Sequence, residues 1–407
     1  MKELLRTLRT RALLPLTLLV PLATACADST GADRGGIVIG GLFSLTGDWS
    51  SLGLAGRAAM ELGVEDVNAQ FADRDLRLRV DVRDTKLDPA TALKELESLH
   101  DRGVQVVMGP QSSAELAALK PYVDSQRMLV VSPSSTAGSL AVSGDGILRL
   151  TPSDTLEGEA TAALMWSDGI RTLVPLWRGD AGNRGLNLAT RASFAARGGS
   201  VAAGSEYATT TAQFAPVVTA LGAQVRQALA SRPASQVAVY LAGFDEVAAV
   251  LAAAAADPTL ATVRWYGADG IALSPALLTP QAAAFAERVG YPAPIFGLDD
   301  DARDRWKSVA DRIEKRSGVA ADAFSLAVYD GVWLAAQAYL ASPSHVDGNG
   351  LKEKFASAAE AYFGTTGWTA LNAAGDRRFA DFDFWAIRGG RWVRVAKYDT
   401  RSRTFIR

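Results

Sequence analysis

The chain of 407 residues is 48% hydrophobic and 21% charged, which excludes disorder over most of its length and favours two domains or lobes. Its 42 Lys and Arg balance 44 Asp and Glu to a formal charge of −2, so no global field draws it to nucleic acid or to an anionic membrane. One Cys excludes an internal disulfide and a thiolate zinc site, and two His, His100 and His345, are too few for most metal or triad chemistry.

The first residues carry Lys2, Arg6, Arg9 and Arg11, followed by an apolar run over 12–22 that is too short to span a bilayer comfortably. That pattern predicts a secretory signal over 1–25. It ends in Ala23-Thr24-Ala25-Cys26, which resembles a bacterial lipoprotein cleavage box. The resemblance implies that Cys26 becomes the first residue of the mature chain and carries lipid, with 26–35 as a flexible tether. The box most often has Leu three residues before the Cys, whereas here Ala23 stands there and Leu22 lies one step further off. The alternative is an ordinary signal with a bystander Cys, and either reading places the protein outside the cytoplasm.

From Gly36 onward, short β-rich runs alternate with helical patterns. Residues 37–43 predict a buried strand, and 54–70 set Ala55, Ala58, Ala59, Leu62 and Val67 at helical spacing. A half-exposed strand over 76–82 and an amphipathic helix over 91–100 follow. Strands at 104–108, 128–131 and 147–150, with a helix over 113–124, complete a first α/β lobe by about residue 150. A second series interleaves helices at 156–166, 184–196, 212–229 and 246–256 with strands at 172–176, 201–207, 237–241 and 263–266. Helices at 300–315, 321–341 and 351–362 come next. The chain closes on a hairpin formed by 381–387, the turn Arg388-Gly389-Gly390 and 391–395.

Several strings occur in an order that resembles the branched-chain amino-acid type of extracellular solute-binding protein. They are 37–47, Leu52-Gly53, 56–68, 84–88, Val-Val-Met-Gly-Pro-Gln-Ser-Ser at 106–113 and Leu-Val-Val-Ser-Pro-Ser-Ser-Thr at 129–136. Further on come 180–185, Gly243-Phe244, 266–270, 327–330 and 364–368. The resemblance implies an α/β fold of two Rossmann-like lobes with mainly parallel sheets, joined by three hinge crossings, with ligand in the cleft between them. Projected onto this chain, lobe 1 takes 36–152 and 292–366, and lobe 2 takes 153–291 and 367–407.

The two strongest strings each end an apolar strand in Gly-Pro or Ser-Pro and then present small hydroxyl residues beside free backbone N–H groups, a setting that suits a carboxylate. Helix capping alone would account for such residues equally well. The resemblance places Ser113 and Thr136 on a ligand carboxylate, Ser134 on the ammonium through its backbone carbonyl, and Asp269 on the ammonium from the other lobe. Asp269 precedes a Gly, so it could instead bond its own turn. Phe244 and Phe324 fall on cleft-lining positions, where an aromatic could also be plain core. Gly182 stands where the family often has an aromatic lid, and Leu52 where the branched-chain binders have a ring, with Trp49 nearby to replace it or to lie exposed in its loop. The acidic strings Asp299-Asp300-Asp301 and Asp347-Gly348-Asn349-Gly350 read as a helix start and a turn, and no metal site or cofactor is expected.

The resulting expectation is a lipid-anchored, extracytoplasmic, monomeric protein that captures a small amino acid or related zwitterion and delivers it to ABC permease subunits. Its cleft would respond by closing. A sensor subunit reporting the closed state to a membrane receptor or kinase is the alternative. An enzyme is disfavoured because 35–47 holds no G-x-G-x-x-G, no G-x-S-x-G is present and neither His lies in a triad string.

Overall fold

The computed structural model describes residues 36–74, 76–342 and 347–406. The expected signal, tether and Cys26, and also His345, lie outside the described residues. The first run of elements is β1 (Ile37–Phe43), α1 (Ser50–Gln70), β2 (Leu78–Asp84), α2 (Pro89–Asp101), β3 (Val106–Met108), α3 (Ser113–Gln126), β4 (Leu129–Ser132) and β5 (Ile147–Arg149). The second is α4 (Asp154–Ser167), β6 (Thr172–Arg178), α5 (Ala181–Ala196), β7 (Ser200–Val201), β8 (Ser205–Tyr207), α6 (Ala215–Leu229), β9 (Val237–Ala242), α7 (Val247–Ala254), β10 (Arg264–Tyr266), α8 (Pro280–Val289) and β11 (Ala293–Phe296). The chain ends with α9 (Arg303–Ser317), α10 (Ala323–Leu340), α11 (Gly348–Ala361), β12 (Phe363–Gly364), β13 (Gly367–Trp368), β14 (Phe382–Arg388), β15 (Arg391–Asp399) and β16 (Thr404–Ile406).

Among the described residues the elements form two parallel sheets, a four-stranded antiparallel sheet and a two-stranded antiparallel ribbon of β12 and β13. The first has the order β2-β1-β3-β4-β5, and the second β10-β9-β6-β7 with β8 also on β6. Every pairing in these two sheets is parallel. Strands covered on both faces are apolar throughout, as in the fully buried Val-Ala-Val-Tyr-Leu-Ala of β9. Helix α10 is apolar nearly all round for the same reason, since it packs against α1, α11 and β3. The exposed helix α9 is tied to α1 by paired forks, Arg312 to Asp66 and Arg316 to Glu65.

Two features differ from the sequence expectation. The strand expected over 201–207 is split into β7 and β8, because its neighbour β6 carries Pro175, which has no N–H to donate. Gly204 at φ +76° rounds the break, and a Cβ there would meet Pro175 at 2.5 Å. The C-terminal hairpin is also part of a larger antiparallel sheet, β11-β14-β15-β16, so β11 pairs with β14 and not with the first sheet. Its turn glycines, Gly389 and Gly390, have φ of 58° and 72°.

The chain passes from the first sheet to the second after β5, packs α10 back against α1 and β3 after β11, and after β13 runs to β14, the partner of β11. Two of these passages run side by side: Arg149 N–H donates to the Gly375 carbonyl at 2.8 Å, and Arg377 N–H to the Arg149 carbonyl at 2.9 Å. Buried side chains lock the junction. Arg149 pairs with Asp376, and Asp330 accepts from the N–H and hydroxyl groups of both Thr365 and Thr366.

Candidate functional site

The C-terminal ends of the two parallel sheets face each other across a cleft, the place where open α/β sheets bind ligands. On the first side, the Gly109-Pro110 turn ends β3. Gly109 has φ +100°, and a Cβ there would lie 2.1 Å from the Leu42 carbonyl oxygen, so only glycine fits. Ser112 then caps α3: its hydroxyl accepts the Glu115 N–H, and Glu115 reaches back to Ser112. Capping therefore falls to Ser112 and releases Ser113 for another partner. Ser113 Oγ accepts the N–H groups of Thr136 and Ala137 at 3.2 and 3.1 Å. The Ser134 hydroxyl donates to the Gln111 carbonyl at 2.9 Å, which stitches the two hydroxyl-bearing loops together.

The aromatic wall comes from both sides. Trp49, at the start of α1, is buried and stacks on Phe244, which follows β9, with centroids 4.3 Å apart and planes at 23°. Phe324 meets the edge of Trp49 at 6.3 Å. Gly270 makes room for Phe244, because a Cβ there would lie 2.6 Å from its ring. Trp49 is thus a component of the wall and not an exposed loop residue. Gly182 lies in the first turn of α5, and a Cβ on it would stand 3.4 Å from Ser113 Oγ. The α5 backbone therefore approaches Ser113 closely at this point.

A small cavity of about 10 Å³, room for roughly one water, is lined by Trp49, Ser113, Ser134, Thr136, Gly182, Phe244 and Asp269. A wider recess of about 560 Å³ shares Ser112 and Phe244 with it. Seven of the sequence-chosen residues therefore converge. Leu52 and Phe324 do not line that cavity: Leu52 borders a second one on the far side of Trp49, and Phe324 lies behind the tryptophan. Both are core residues here, at 3% and 2% exposure.

Two further buried carboxylates, absent from the family strings, lie next to Asp269. Asp154 and Glu157, in the first turn of α4, are each 2% exposed, and Glu157 Oε1 accepts the Asp269 N–H at 3.2 Å. Asp154 N–H donates to the Thr136 carbonyl at 2.9 Å, joining this turn to the hydroxyl loop. Burial pushes the Asp154 carboxyl up to about 7 and the Asp269 carboxyl up to about 6. Burial, then the charges of Asp269 and Asp154, holds Glu157 well above the usual carboxylate range. The signal was present as Ser-Asp-Thr-Leu-Glu at 153–157, yet such a string is also the common opening of a helix.

A latch also crosses the cleft. Arg178 Nη1 lies 2.6 Å from Asp48 Oδ2, the Asp245 N–H donates to the Asp48 carbonyl at 2.7 Å, and the Ser51 hydroxyl donates to Asp245 at 3.0 Å. Arg178 is further surrounded by Asp180 and Glu246. Among the described residues, no helix is long and apolar enough to cross a membrane.

Residues 36–385 match a sequence profile described as periplasmic binding protein. An uncharacterised protein of Methanocaldococcus jannaschii is 24% identical over 392 residues, covering 92% of each chain. Among solved structures, a leucine-binding protein from Thermotoga maritima superposes with a TM-score of 0.73 at 17% identity, covering 90% of this chain and 99% of that one. The branched-chain amino-acid transporter substrate-binding protein of Streptococcus pneumoniae, in complex with isoleucine, gives 0.71 at 18% identity, covering 88% and 100%. An ABC-transporter solute-binding protein of R. palustris, in complex with benzoate, gives 0.72 at 18%, covering 89% and 96%. With the profile spanning most of the chain and the two-lobed α/β architecture shared with these structures, the chain belongs to the periplasmic binding protein family, in its type I fold.

Proposed function

We propose that this chain captures a small amino acid or related zwitterion in its interlobe cleft outside the cytoplasm and delivers it to the permease of an ABC importer. The observation that carries the reading is the convergence of Ser113 and Thr136 from one side with Asp269 from the other on a single cavity. A carboxylate would take the hydroxyls and backbone N–H groups, and an ammonium would take Asp269. Isoleucine and benzoate, the ligands of two structural neighbours, share a carboxylate, and only isoleucine has an ammonium. The hydroxyl side is thus the general part of the site and Asp269 the selective part.

Ligand would be held by both lobes only when the cleft is shut, so binding favours the closed population, with Trp49 on Phe244 and Arg178 on Asp48 as its contacts. Lobe 1 would comprise 36–152 and the stretch from α9 to about 366, and lobe 2 the remainder, with the middle crossing set after β11 because β11 pairs with β14. A lipid on Cys26 would hold the mature chain at the membrane, and Cys26→Ser should release it to the soluble fraction.

A thermal-shift panel on the mature protein tests the ligand class, using branched, aromatic, small and acidic amino acids beside carboxylates that lack an amine. A compound at about 100 times its dissociation constant stabilises by about 2.7 kcal/mol. Amino acids should raise the melting temperature and the amine-free carboxylates should do so less. Equal shifts from both sets would remove the ammonium role of Asp269.

A further inference from the structure

The cleft contains two adjoining spaces of very different size. The cavity at Ser113, Thr136 and Asp269 has about 10 Å³, whereas the recess beside it has about 560 Å³, as small-molecule sites do. Ser112 and Phe244 border both. Gly182 stands between them: a Cβ there would lie 3.4 Å from Ser113 Oγ, on the small cavity, and 3.4 Å from Asp180 Oδ1, on the side of the recess. Glycine at this boundary puts no side chain between the two spaces. A ligand whose head group meets Ser113 and Asp269 thus has room for its side chain in the recess.

The charged groups that line the recess are unequally engaged. Asp48 pairs with Arg178 at 2.6 Å, Asp88 accepts the N–H and hydroxyl of Thr91, and Asp180 accepts the N–H and side-chain amide of Asn183. Of the cations, Arg178 is shared among Asp48, Asp180 and Glu246, and Arg184 forks onto Glu206. Lys86 alone among them has neither an ion pair nor a side-chain hydrogen bond within the described residues. Its backbone is nevertheless fixed. Lys86 and Leu87 both have φ +57°, a left-handed conformation that non-glycine residues seldom adopt. Asp84 Oδ1 holds this turn by accepting the N–H groups of Lys86, Leu45 and Thr46. First-turn residues of three helices, Pro89 of α2, Ala114 of α3 and Ala181 of α5, also border the recess and bring the positive ends of their dipoles to it.

We propose that the recess takes the ligand's side chain and that Lys86 pairs with an anionic group at its far end, so that the ligand is an acidic amino acid with an extended side chain. This rests on reading the cleft as the ligand site, with the head group at Ser113, Thr136 and Asp269. The one lining charge without a protein partner is positive, and a carboxylate supplies its complement. A cationic end would instead compete with the donors that already hold Asp48, Asp88 and Asp180. A compact apolar side chain would leave most of the recess to water. The flexible four-carbon stem of Lys86 lets its ammonium follow a carboxylate across that space.

Isothermal titration of the mature protein with L-2-aminoadipate and its side-chain amide, L-homoglutamine, tests this, because the two differ in the charge at the far end. The acid should bind about fivefold or more tighter than the amide, the ratio should fall to about twofold or less in Lys86→Met, and Lys86→Arg should restore it. Lys86 is exposed, and a melting curve checks that both variants fold. Equal binding of acid and amide by wild type overturns the proposal and leaves the zwitterion reading intact. A preference for the acid that survives in Lys86→Met also overturns it, because the anion is then held elsewhere. If adipate, which has no amine, binds as tightly as aminoadipate, the ammonium role of Asp269 fails and the Lys86 proposal stands. If neither aminoadipate nor homoglutamine binds while leucine does, the Lys86 proposal alone is overturned. No binding by any of these compounds overturns both readings.

Discussion

Asp154 and Glu157 occupy successive positions on the inner face of α4, and their environment reverses the usual behaviour of a carboxylate near a helix start. With Asp154 lifted to about 7 by burial, the folded chain keeps a proton that the unfolded chain has lost above the ordinary carboxylate range of about 4. Its contribution to stability is therefore fully present in acid and is lost as the pH rises through about 7. Asp154→Asn removes that titration, so it should raise the melting temperature by several degrees at pH 8 and by much less at pH 5. Scanning calorimetry at both pH values checks this, and an equal shift at each would show that the group is not protonated by folding.

The same residues mark the limit of what sequence could reveal. Ser113, Thr136 and Asp269 lie in the family strings, and the structure brings them to one cavity. Asp154 and Glu157 belong to an ordinary helix-opening string, and only tertiary packing shows that the turn points inward. Leu52 and Phe324 show the opposite problem, since an apolar residue at a cleft position looks the same in sequence whether it touches ligand or supports the residue that does.

Among the elements, α3 shows how two adjacent serines divide their tasks. Ser112 closes the capping box with Glu115, while Ser113 holds the backbone of the facing loop. Ser112→Ala should cost about 1 kcal/mol in a urea melt while leaving ligand affinity within twofold of wild type. A loss of affinity comparable to that of Ser113→Ala would mean that the cap also positions the site. Strands and long helices were readable from periodicity because most have uniform environments along their length. The break between β7 and β8 was not, because its cause, Pro175, lies on the neighbouring strand. Strand β11 leaves little trace in the sequence because it has only four residues and its partner β14 comes far later in the chain.

For the molecule as a whole, the cleft is bridged among the described residues by the Trp49–Phe244 stack and by polar contacts around Arg178, Asp48, Ser51 and Asp245. A mixed polar contact of this kind allows the lobes to separate and rejoin. Trp49→Ala should therefore shift the free protein toward open forms, seen in small-angle scattering as a larger radius of gyration than wild type. A saturating amino acid identified by the thermal-shift panel should narrow that difference. An unchanged radius in the variant would indicate that the latch around Arg178 and Asp48 alone sets the closed state.

In the proposed site one lobe holds the ligand's carboxylate while the other holds its ammonium. Calorimetric titration of wild type, Ser113→Ala and Asp269→Asn with the amino acid that gives the largest thermal shift tests this division of the ligand. Each substitution should weaken binding by at least tenfold, about 1.4 kcal/mol or more. Binding by either variant as tight as wild type would contradict it.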